Sequence, residues 1–108
     1  MHIDIVWWDL AGSAATVDSL RAELRADLDE GTVGQWAQVA GLRLKFWMAD
    51  GERGRWGAVM VWETARPEVL PPNRAAELIG YPATHRTSFE IEAVVEGAGS
   101  GSAPHGTP

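Results

Sequence analysis

Four cations and three tryptophans crowd into residues 41–63: Arg43, Lys45, Arg53 and Arg55 with Trp47, Trp56 and Trp62. An indole offers a large flat apolar surface and one hydrogen-bond donor, so this stretch suits a pocket for a planar aromatic ligand. Trp36, Phe46, Met60 and Trp62 are the candidate substrate-binding residues. Lys45 and Arg43 could hold an anionic or enolate substrate, since fixed cations stabilise developing negative charge. The simpler roles are core packing for the tryptophans and a salt bridge between subunits for the cations. Outside this stretch, His85 is a candidate general base because imidazole titrates near neutral pH. Tyr81, the sole tyrosine, could donate a hydrogen bond into a cleft.

Other chemistries find no support. The chain has no cysteine, which removes disulfides, thiolate catalysis and cysteine-ligated metal. No Gly-x-Ser-x-Gly elbow is present, and the clusters at residues 31–34 and 54–57 lack the lysine and the strand-to-helix context of a phosphate loop. Asp27, Asp29 and Glu30 gather at the C-terminal end of a helical stretch, where they oppose the helix dipole and read as a solvated end. Histidines and carboxylates do not fall at ligand spacing, so the expectation is no metal and no cofactor. A net charge of −6 with dispersed Arg and Lys argues against nucleic acid as a partner. No apolar run approaches the roughly 20 residues that span a bilayer, and residues 1–5 do not resemble a secretory signal. The expectation is a cytoplasmic protein.

The elements that would position these groups follow from periodicity. Residues 2–10 alternate Ile3, Ile5 and Trp7 against Asp4, Val6 and Trp8, which is strand patterning with apolar groups on both faces. Val17, Leu20, Leu24 and Leu28 recur at helical spacing, with Ser13 or Thr16 as cap and Gly31 as stop. Residues 35–41 read as an irregular connection. A second strand over residues 42–49 places Leu42, Leu44, Phe46 and Met48 on one face, expected to meet a helix, and Arg43, Lys45 and Trp47 on the other. Residues 50–54 carry turn chemistry, and residues 56–63 form a third strand. Pro67, Pro71 and Pro72 exclude a ladder strand from residues 64–72. Pro72 or Asn73 opens a short helix closed by Gly80, and a last strand covers residues 87–95.

The order strand, helix, strand, strand, helix, strand predicts a ferredoxin-like α+β fold, βαββαβ, with both helices on one face of a four-stranded antiparallel sheet. One domain fills residues 1–96. Residues 97–108, including His105, contain only Gly, Ala, Ser, Pro, His and Thr and read as a flexible tail. The uncovered sheet face, expected to carry Trp8, Trp47 and the valines of the third strand, calls for a homodimer. Strands two and four are the edges in this topology, so Arg43 and Lys45 of one subunit would face Glu90 and Glu92 of the other.

Residues 40–47, Ala-Gly-Leu-Arg-Leu-Lys-Phe-Trp, are similar to the Pro-Gly-Leu-x-x-Lys-x-Trp run that begins strand two in YdhR-like monooxygenases of the dimeric α+β barrel superfamily. Residues 57–63, Gly-Ala-Val-Met-Val-Trp-Glu, are similar to that family's Gly-Gly-x-Tyr-x-Trp/Phe strand. Ala40 stands in place of the proline, and Ala58 and Met60 in place of the second glycine and the tyrosine. The resemblance implies a small homodimer with a cavity between sheet and helices. It implies a cofactor-independent monooxygenase acting on a small aromatic or polyketide-like compound, in which the deprotonated substrate passes an electron to dioxygen. Two further readings share the scaffold: a non-catalytic ligand-binding or structural homodimer, and a cyclase or isomerase.

Overall fold

In the computed structural model, which describes residues 1–31 and 34–99, the strands are β1 (His2–Asp9), β2 (Leu42–Asp50), β3 (Arg55–Trp62) and β4 (His85–Glu90). They form one antiparallel sheet in the order β2-β3-β1-β4. Helix α1 (Val17–Glu30), the single turn α2 (Gly34–Ala37) and the short helix α3 (Arg74–Ile79) join them, giving the expected ferredoxin-like α+β arrangement. The stretch read as an irregular connection thus contains one helical turn. Residues 100–108 of the expected tail lie outside the described residues.

The sheet's two faces differ sharply. Asp4, Val6 and Trp8 of β1 and Trp56, Ala58, Met60 and Trp62 of β3 are buried. Apart from Asp4 they join Leu20 of α1 and Ile79 of α3 in the core. Trp62 and Trp8 are 0% and 2% exposed, so the first and third strands together supply the centre of the molecule. Adjacent tryptophans on a strand must point opposite ways. Trp8 therefore enters the core, while Trp7 stacks on His85 on the far face at 4.5 Å between ring centres.

The face assignment expected for β2 is corrected by a bulge. Leu42 pairs with Trp62, but Leu44 pairs with Val61, and the register shifts between them. Such a one-residue shift exchanges the faces of every side chain beyond it. Leu44, Phe46 and Met48 consequently join Val61, Val59 and Gly57 on the outer face, away from the helices, and are exposed. Lys45 and Trp47 share the helix face with Met60 and Ala58. Of the residues expected to be uncovered, Trp8 and Trp47 instead lie on the helix side. β4 also ends earlier than expected, at Glu90, because β1 offers no partner beyond the Met1 carbonyl, which accepts from the Ile91 N–H at 2.9 Å.

Local chemistry fixes the helix ends. Thr16 and Ser19 form a capping box at α1, each side chain accepting the other's backbone N–H, and Gly31 closes the helix in the left-handed conformation. The Asn73 side chain caps α3 by accepting from the Ala76 N–H at 3.1 Å. Arg74 ties α3 to α1 through Glu23 at 2.9 Å and Asp27 at 3.6 Å.

Candidate functional site

Between the helix face of the sheet and the covering segments lies an open cavity of about 980 Å³. Its floor is made by all four strands: Val6 and Trp8, Lys45 and Trp47, Trp56, Ala58 and Met60, and Arg86. Its roof is α1, α2, the proline-rich segment from Arg66 to Asn73, and α3. Val6 and Ala58 are small and face each other across β1 and β3. Between the larger Trp47 on one side and Trp8, Trp56 and Met60 around them, they leave a shallow trough suited to a flat ligand.

Lys45 is the group of most chemical interest in this cavity. Its Nζ sits over the Trp36 ring at 3.2 Å from the ring centre and 5.1 Å from that of Trp47. Among the described residues its amine has no ion pair. Burial among these apolar walls pushes the amine down to about 8, because desolvation disfavours the charged form. The indole face works in the opposite direction by attracting the ammonium. The result is an amine that can carry or release a proton near neutral pH and can reach a ligand without first breaking a salt bridge.

Within the chain Arg43 and Lys45 part company. Arg43 pairs with Glu63 of the same chain at 2.8 Å, and Lys45 turns into the cavity. Both outcomes follow from the bulge, which breaks the alternation that would have left the two on one face.

The residues singled out from the sequence are dispersed. Trp36 and Met60 line the cavity. Phe46 and His85 stand on the outer face, the latter against Trp7. Trp62 shares the helix face of β3 with Met60 but does not line the cavity; its Nε1 donates to the buried Asp4 carboxylate at 3.0 Å. Ser88 Oγ donates to the other oxygen of that carboxylate at 2.5 Å. The Tyr81 hydroxyl donates to the Asp9 carbonyl, while the Tyr81 carbonyl accepts from Trp8 Nε1 at 2.8 Å. Arg86, which also lines the cavity, is not singled out by sequence. Its only signal there is a basic residue immediately before the expected strand, whose own charges, Glu90 and Glu92, are acidic.

Among the described residues, no group of three or more His, Cys, Asp or Glu gathers as a metal ion would require. No helix of the described chain is long and apolar enough to cross a membrane.

No family model matches the chain, and no curated protein matches it. Among solved structures, it is similar to a candidate antibiotic biosynthesis monooxygenase from Deinococcus radiodurans. That similarity has a TM-score of 0.54 at 20% identity and covers 92% of this chain and 100% of the other. At such identity the likeness speaks for architecture alone. The chain has the ferredoxin-like α+β fold of that monooxygenase.

Proposed function

We propose that the protein is a cofactor-independent monooxygenase of small planar aromatic or polyketide-like compounds, with Lys45 as its proton-transferring group. The observation that carries this reading is the placement of the Lys45 amine, free of any ion pair among the described residues, against Trp36 and Trp47 in the cavity. Trp36 and Met60 serve as substrate-binding walls. The neutral amine takes a proton from an acidic C–H or O–H of the substrate, and the ammonium formed remains beside the new oxyanion. The electron-rich anion then reduces dioxygen. For a methylene carbon the balance is one CH2 and one O2 giving one C=O and one water, so the substrate supplies both electron pairs.

The assembly belongs to the same proposal. Leu44, Phe46 and Phe89 are 53%, 44% and 60% exposed on the outer face, beside Ile3, Ile5 and the stacked Trp7 and His85. A contiguous apolar face of this kind is suited to a second copy of the chain. His85 would then be an interface residue rather than a base.

The carrying test is oxygen consumption with anthrone-type methylene compounds. One dioxygen should disappear per carbonyl formed, and Lys45→Met should lose at least about tenfold in kcat/KM, in the range expected for loss of a general base. A non-catalytic ligand-binding homodimer is the second reading. It is favoured by the commitment of Tyr81 to the Asp9 carbonyl and by the outward position of His85, so that neither the tyrosine nor that histidine lines the cavity. Saturable binding of such compounds with no oxygen uptake and no isomerised or cyclised product would select it.

A further inference from the structure

The charges of the cavity are sorted by layer. Its carboxylates, Glu23, Asp27, Glu30, Glu68 and Glu77, all come from the roof. Three of them are within salt-bridge reach of Arg74, and Arg66 of the roof points back to Asp4 at 3.8 Å. The floor has only two charged groups, Lys45 and Arg86, and both are cations. Neither forms an ion pair among the described residues.

These cations stand on opposite edges of the sheet, Lys45 on β2 and Arg86 on β4. The row across the floor through Arg86 runs from Trp47 to Ala58, Val6 and Arg86, so the trough formed by the two small residues lies between the positive groups. Three interstrand steps separate the edge backbones by roughly 14 Å. Allowing for the reach of the two side chains, a ligand that touches both is on the order of 10 Å long, the size of a fused polycyclic aromatic.

Resting on the proposed ligand cavity, we infer that its occupant is an elongated planar aromatic with an acidic oxygen function at each end, one held by Lys45 and the other by Arg86. The Lys45 end carries the oxyanion of the reacting ring, against the indoles. The Arg86 end takes a carboxylate or acidic phenol, which the planar guanidinium can hold through two parallel hydrogen bonds. Arg86 is then a specificity-determining residue and not a catalytic one. Its exposure places the second acid at the cavity's mouth, so a ligand would enter with its reactive ring leading.

The test compares anthraquinone-2-carboxylate, anthraquinone-2,6-dicarboxylate and an uncharged anthraquinone amide, with dissociation constants from quenching of tryptophan fluorescence at low ionic strength. The dicarboxylate is expected to bind about tenfold more tightly than the monocarboxylate, the gain of one charge-assisted hydrogen-bonded pair. Arg86→Gln should abolish that gain, Arg86→Lys should restore part of it, and Lys45→Met should weaken both acids. Equal affinity of the two acids for the unaltered protein, or an equal loss for both with Arg86→Gln, overturns the two-ended ligand and leaves the cavity reading standing. Failure of all three compounds to bind overturns both. Unchanged circular dichroism of each variant separates loss of recognition from loss of fold.

Discussion

Lys45 combines two properties that rarely go together, partial burial against indole rings and the absence of an ion pair among the described residues. Its titration gives a direct prediction. With the free amine at about 8, the neutral, proton-accepting fraction grows as pH rises through that value. Oxygen uptake should therefore climb from pH 6 to pH 9 and level off above, as measured by initial rates across that range. Lys45→Arg keeps a positive charge that does not titrate in this range, so it should retain binding of an anionic aromatic while losing the turnover limb. A flat pH profile for the unaltered protein would remove the amine from the mechanism. The buried Asp4 carries a second prediction at this scale. Trp62→Phe keeps the ring's bulk but removes the donor at 3.0 Å, leaving a buried carboxylate oxygen without one of its partners. Unfolding in urea should show a loss of about 1–3 kcal/mol.

Among the elements, β3 carries the heaviest constraint because it lies between β1 and β2 and fills both faces. Gly57 is the point of closest approach. A Cβ there would lie 2.6 Å from the Val6 carbonyl oxygen and 2.9 Å from both Met48 Cε and Trp7 Cβ. Met48 can swing aside, but the backbone carbonyl cannot. Gly57→Ala should cost about 1–3 kcal/mol through overpacking, read as a lower midpoint of denaturant unfolding. Gly41 is held for a different reason: its φ is +82°, and an added Cβ would also run into the Thr64 side chain. It sits where the chain turns into β2, just before the bulge, and its carbonyl accepts from the Glu63 N–H at 2.8 Å. Strand and helix identity were legible in the periodicity of Ile3 to Trp8, of Val17 to Leu24 and of Trp56 to Trp62, because each repeats one pattern without interruption. The faces of β2 were not. Reading Leu42, Leu44, Phe46 and Met48 as one stripe assumes unbroken alternation, and a bulge depends on how the strand meets its partner.

For the whole molecule, the exposed outer face and the cavity on the opposite side make separable predictions. Replacing Leu44 and Phe46 together by Asp puts two charges into the proposed homodimer interface, where burial without partners is costly. The doubly substituted chain should run as a monomer in light-scattering chromatography at concentrations where the unaltered protein runs as a dimer. Its affinity for planar aromatic acids should stay within about twofold, since both residues point away from the cavity. A monomeric unaltered protein would sink the dimer proposal alone. The melting temperature gives an independent check, because that of an obligate dimer rises with protein concentration.

What the chain determined by itself was its set of elements and their order, because helix and strand periodicity, caps and turn residues act over a few neighbouring positions. Residues 40–47 and 57–63 likewise carried a resemblance to a dimeric α+β barrel scaffold. Which side chains meet was decided only by tertiary structure. The bulge between Leu42 and Leu44 sends Lys45 into the cavity and Phe46 out of it, and the pairing of β4 with β1 brings Arg86 to the floor and His85 to the far face. Those outcomes depend on register, a property of two strands together that no single stretch of sequence contains.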